Sequence, residues 1–90
     1  MKYLLIVFTI FSSVIFTQIK SVSSIVVDGN NNPIEGVNIY TSNTGTTSNA
    51  QGFFILEVKS QEQITFQHIA FNTVIFSSDS IKNTIILKSK

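Results

Sequence analysis

One stretch constrains the fold of this chain more than any other. It runs Asn32-Pro33-Ile34-Glu35-Gly36-Val37-Asn38-Ile39-Tyr40, then Gly45-Thr46-Thr47-Ser48-Asn49-Ala50-Gln51-Gly52-Phe53-Phe54. A Pro/Gly turn leads into an alternating strand, and a Gly-Thr corner with a second glycine turn leads into another. Successive side chains of a strand point to opposite faces, so a period of two marks a half-buried sheet. Short runs of that period, separated by turn residues, specify a small β-sandwich.

The rest of the chain agrees. Eight Phe accompany many Val, Ile and Thr residues, side chains that fit a pleated surface. Ala is nearly absent, which argues against a helical bundle. We expect an all-β fold, a small antiparallel β-sandwich of six to seven strands. Strand one covers about Ser23 to Asp28, with Ile25 and Val27 on one face. Asp28 to Pro33 is a turn in which Gly29 tolerates positive φ and Pro33 pre-sets φ. Strand two is Gly36 to Thr41, with Val37 and Ile39 inward, and Gly45 to Thr47 forms a brief edge strand. Phe54, Leu56 and Val58 share a face of the strand Phe53 to Lys59. Ile64 and Phe66 point inward from Ile64 to His68, as do Val74 and Phe76 from Asn72 to Ser77. Asp79 to Lys82 is a turn, and in Asn83 to Lys88 the residues Ile85 and Leu87 alternate with Thr84, Ile86 and Lys88. Val37, Phe54, Leu56, Ile64 and Phe66 are the expected core.

The N-terminus reads differently. Met1-Lys2 precedes an apolar run from Leu4 to Phe16, broken only by Thr9, Ser12 and Ser13. This is a signal peptide pattern, a helix too short for a comfortable permanent span. Residues 1–17 are expected to be removed after Thr17, or a few residues later near Ser21 to Ser24. That leaves one domain over 18–90 and no permanent transmembrane span. The chain is therefore expected to be exported.

Reaction chemistry is sparse. The chain has no Cys and one histidine, His68, so thiolate zinc sites and disulfides are excluded. A catalytic dyad needs a base beside an oriented nucleophile, and His68 has a corner position instead. Asp28, Asn30 and Asn32 have the spacing that opens a calcium loop, and Glu35 could join it. Pro33 and Ile39 then stand where the loop needs Gly and a bidentate Glu. We expect no cofactor, no metal and no enzymatic activity. A net charge of +1 with 12% charged residues implies no phosphate-binding surface and no nucleic-acid partner.

The turn and corner residues together resemble the carboxypeptidase regulatory-like domain, a transthyretin-like or prealbumin-like sandwich. Asp28, Pro33-Ile34 and Gly36-Val37-Asn38-Ile39 follow the family order. Gly45-Thr46-Thr47-Ser48-Asn49, Gly52-Phe53-Phe54-Ile55-Leu56 and the corner Ile69-Ala70-Phe71 complete it. Asn32 and Ala70 stand where the family has Gly, and Asn49 where it has Asp. The resemblance covers about Ser23 to Lys88. It implies a non-catalytic accessory module of an exported protein, as found at the N-terminus of TonB-dependent outer-membrane receptors of Bacteroidota. Such a module would sit in the periplasm or at the outer membrane, or be secreted, and would meet a protein partner in the cell envelope, through surface contacts or a strand added at an exposed edge. The alternative is a secreted carbohydrate- or peptide-binding module using the loop Ser42 to Asn49 and exposed aromatics. The expected interaction surface is Tyr40, Asn43, Thr46 and Phe53.

Overall fold

The computed structural model describes residues 18–90; the expected signal peptide helix over 1–17 lies outside the described residues, and the alternative cleavage point near Ser21 to Ser24 falls within the first strand. Seven strands follow one another: β1 (Ile19–Val27), β2 (Asn38–Tyr40), β3 (Gly45–Thr47), β4 (Phe53–Lys59), β5 (Gln63–His68), β6 (Phe71–Ser77) and β7 (Thr84–Ile86). A single 3-10 turn, Ser78–Ser80, separates the last two. They form a three-stranded sheet of order β4-β1-β7 and a four-stranded sheet of order β3-β2-β5-β6. The chain is thus mostly β and layered as a small sandwich.

The expectation of a wholly antiparallel sandwich needs correction. The sheets are not wholly antiparallel, because β7 runs parallel to β1, with Ile25 beside Thr84 and Val27 beside Ile86. The chain leaves the four-stranded sheet at β6, crosses layers through the 3-10 turn, and reaches β1 pointing the same way. Alternation has the same period in both directions of pairing, so the sequence pattern carries no information on this point. β1 also begins at Ile19 rather than Ser23, since Ile19 to Val22 pair with Lys59 to Leu56 of β4. The core-facing residues of β1 are Val22, Ser24 and Val26.

The core lies between the layers. Val37, Ile39, Phe54, Leu56, Val58, Ile64, Phe66, Ile85 and Leu87 are all buried, and Val74 and Phe76 pack against them. Phe66 sits at the centre. Its ring meets Phe54 of the opposite sheet edge-on at a centroid distance of 5.5 Å, and Phe76 of its own sheet at 5.9 Å. Such tilted pairs match the positive edge of one ring to the negative face of the other.

Both open sides of the sandwich are stitched. On one, the Thr44 hydroxyl donates to the Glu57 carbonyl at 3.0 Å, tying the β2–β3 loop to β4. On the other, the segment after β7 crosses to β6: Asn72 N–H donates to Lys88 O at 2.8 Å and Lys90 N–H to Ala70 O at 3.2 Å.

Two five-residue loops, Asp28 to Asn32 and Asn49 to Phe53, have the same hydrogen-bond plan. In the first, Asp28 Oδ1 accepts from the N–H groups of Asn30 and Asn32, both at 2.9 Å. In the second, Asn49 Oδ1 accepts from Gln51 and Phe53 at 3.0 and 2.9 Å. In each, the first residue's N–H donates to the fifth carbonyl and the fourth N–H to the first carbonyl. The fourth residue is left-handed in both: Asn31 at φ 71° and Gly52 at φ 76°. The expectation for Gly29 is therefore corrected, because the Asp28 side chain captures the donors of Asn30 and Asn32 and puts the reversal at Asn31. The calcium-loop spacing of Asp28, Asn30 and Asn32 is the spacing of this Asx turn. Ala70 does not have positive φ, so its side chain is compatible with the corner.

Ser48 joins the two halves of the opening motif. Its buried hydroxyl donates to Ile34 O at 2.7 Å and accepts from Val37 N–H at 3.0 Å. Its backbone accepts from Gly36 and donates to Val37 O. Ser48→Ala would strand a donor and an acceptor beside fully buried Val37, a loss of about 2 kcal/mol. Urea denaturation should show a lower midpoint with an unchanged slope.

Candidate functional site

The interaction residues expected from sequence do not converge. Tyr40 lies on the outer face of the four-stranded sheet, in a row with Thr65 and Ile75, and its hydroxyl donates to Gln67 Oε1 at 3.0 Å. Asn43, in the β2–β3 loop, donates to Glu62 Oε2 at 2.9 Å. Glu62 Oε1 also accepts from Lys59 N–H at 3.0 Å, so this carboxylate pins the loop to the β4–β5 turn. Beside it, Tyr40, Thr41, Ser42, Glu62, Gln63 and Thr65 line a shallow cleft of about 410 Å³. Thr46 pairs with Ile39, which turns its half-buried side chain toward the interior. Phe53 belongs to the other sheet, opposite Ile25. Tyr40 and Phe53 thus occupy outer faces of different layers, and one small ligand does not touch both.

His68 is a corner residue. Its Nδ1 accepts from Ala70 N–H at 3.1 Å, and its ring stands edge-on to Phe71 at 5.3 Å. Among the described residues no three His, Cys, Asp or Glu side chains come together as a metal site. No helix among them is long and apolar enough to cross a membrane.

A different surface stands out: the outer face of the three-stranded sheet. Paired residues share a face, so Ile25 and Phe53 stand side by side, Ile55 follows Phe53 two residues along β4, and Ile86 lies on β7 beside Val27. Ile25, Phe53, Ile55 and Ile86 are 40, 41, 56 and 57% exposed. Val27, on the same face, is buried where Pro33 bridges to it. Polar residues share this face: Ser23 pairs with Ile55 and Thr84 with Ile25, and Ser21 pairs with Glu57 further along.

The sequence signal for this surface is a departure from alternation. Ile25-Val26-Val27, Phe53-Phe54-Ile55-Leu56 and Ile85-Ile86-Leu87 are apolar in both phases. Strands covered on both faces read this way, whereas strands with one solvated face place polar residues outward. Here the inner phase fills the core and the outer phase meets solvent. Phe53 is the one member that reading for exposed aromatics singles out.

No protein-family model matches the sequence, and no curated protein matches it.

Proposed function

We propose that this chain is a non-catalytic interaction module of an exported protein, and that it meets a protein partner through the outer face of its three-stranded sheet. The observation that carries this reading is the cluster Ile25, Phe53, Ile55 and Ile86, four large apolar side chains left in solvent on adjoining strands. Large apolar side chains exposed together on one face favour association, since covering them removes apolar area from water. The side chains that could bring chemistry are engaged in structure: Asp28 closes a turn, Glu62 anchors a loop and His68 supports a corner.

The finer reading is a prealbumin-like, carboxypeptidase regulatory-like domain of the cell envelope. Its support is the order of the motif residues, the two-layered β architecture, and left-handed glycines at Gly36 and Gly52. The apolar run before Gln18 supports export. The N-terminal domain of a TonB-dependent receptor would have this arrangement.

The test is site-specific crosslinking in living cells. A photoreactive residue at Ile55 or Ile86 should give one discrete protein adduct, identified by mass spectrometry, in the envelope fraction. The same residue at Asn43, away from the patch, should not give that adduct. Equal labelling from all three positions, or no adduct from the patch, would contradict the proposal.

A further inference from the structure

The four-stranded sheet ends in two unlike edges. At one, β3 is three residues long and contains Gly45. At the other, β6 has seven residues, Phe71-Asn72-Thr73-Val74-Ile75-Phe76-Ser77, without a charge or a proline. Edge strands are ordinarily shielded by charges, prolines, bulges or short length, because an open row of N–H and C=O groups recruits another strand. The edges of the three-stranded sheet follow that rule. β4 carries Glu57 and Lys59 and is bridged by Thr44, and β7 is three residues long.

β6 is shielded only at its beginning. The segment Lys88 to Lys90 pairs with Ala70 to Asn72, and a register shift lies between this part and the regular ladder with β5. From Thr73 to Ser77, no backbone group bonds to a segment other than β5 among the described residues. On the inner side of this stretch, Val74 and Phe76 are only partly buried against the core. On the outer side, Ile75 is 56% exposed.

We propose that β6 pairs antiparallel with β6 of a second copy of this chain, joining two four-stranded sheets into one of eight strands. Two features select a second copy rather than an unrelated strand. The open stretch of five residues is centred on Ile75, so a twofold axis there sets Ile75 against Ile75 and Thr73 against Ser77, with no like charges opposed. The charges at its two ends are also complementary. Lys88 and Lys90 flank the start of β6, and Asp79 follows its end, with only Oδ1 engaged by Lys20. Antiparallel pairing brings the lysines of each copy toward Asp79 of the other. This surface lies on a different sheet from the apolar patch, so the inference does not rest on the proposed function.

Sedimentation equilibrium of the purified protein over a range of concentrations, with amide hydrogen exchange, tests the proposal. A reversible dimer is expected, and the Thr73–Ser77 amides should gain protection as it populates. Ile75→Lys and Ile75→Glu, both on the exposed face, should each weaken the dimer by about tenfold or more, by opposing like charges across the axis. An equimolar mixture of the two variants should restore dimerisation, which two misfolded chains would not do. A protein that stays monomeric throughout overturns the proposal. So does a dimer that both variants leave intact, or one that forms without protecting Thr73–Ser77.

Discussion

Replacing Phe66 with alanine should leave the protein barely stable at room temperature, with up to about half of the molecules unfolded. Phe66 is fully buried and links the layers through Phe54 and Phe76. The truncation removes the ring's apolar contacts and leaves a cavity that two facing sheets cannot collapse to fill, a loss of about 3–5 kcal/mol. A sandwich this small, with no disulfide, has a total stability of about 5 kcal/mol. Urea denaturation of Phe66→Ala followed by circular dichroism should therefore show a midpoint close to zero urea, with part of the strand signal already lost without denaturant. Phe53→Ala is the control. That ring lies on β4, on the open face of the other sheet, and its loss should leave the fold intact.

The second large effect is expected at Gly52. Its φ of +76° is left-handed, and a Cβ there would lie 2.5 Å from the Val26 carbonyl oxygen and 3.1 Å from Pro33 Cβ. That oxygen already accepts from Ile34 N–H, and Val26 N–H donates to Gly52 O. Any shift that relieves the clash therefore breaks the junction between the two Asx loops. Gly52→Ala should cost about 3 kcal/mol, with backbone strain and steric displacement acting together. Gly36 is a comparison within the same molecule. It is equally left-handed, at φ +84°, but its would-be Cβ meets nothing within 4 Å. Gly36→Ala should cost only the conformational part, about 1 kcal/mol. Urea denaturation of both variants separates the two contributions.

Most strands and most of the core were legible because burial imposes a period of two that turns interrupt. Val37, Ile39, Phe54, Leu56, Ile64 and Phe66 follow that period and are buried. What escaped depends on partners distant in sequence. The parallel β1–β7 pairing is set by how Ser78–Ser80 carries the chain between layers, and no local pattern encodes strand direction. The left-handed residue of the first loop is Asn31 rather than Gly29, because the Asp28 carboxylate decides where the donors point.

The surface was harder to read than the core. Tyr40, Asn43, Thr46 and Phe53 are close in sequence order, but pairing sends Thr46 inward beside Ile39 and places Phe53 on the other layer. The apolar outer patch is assembled from β1, β4 and β7, whose neighbours in the sheet are remote in the chain. Its one local trace is that Ile25-Val26-Val27, Phe53-Phe54-Ile55-Leu56 and Ile85-Ile86-Leu87 are apolar in both phases. The core accounts for only one of those phases.

The proposed interaction surface requires that this second phase be open to solvent. A shift of one residue in β1 or β4 would exchange the buried and open sets, so paired substitutions test the claim directly. Thr keeps the branched shape that strands favour, and two double variants placed one residue apart suffice. Ile25→Thr with Ile55→Thr should leave the unfolding free energy of the isolated protein, from urea denaturation, within about 0.5 kcal/mol of the parent per site. Val26→Thr with Leu56→Thr, on the inner phase, should lose several-fold more. If the outer pair proves as destabilising as the inner pair, Ile25 and Ile55 are core residues, and the proposed interaction surface does not exist.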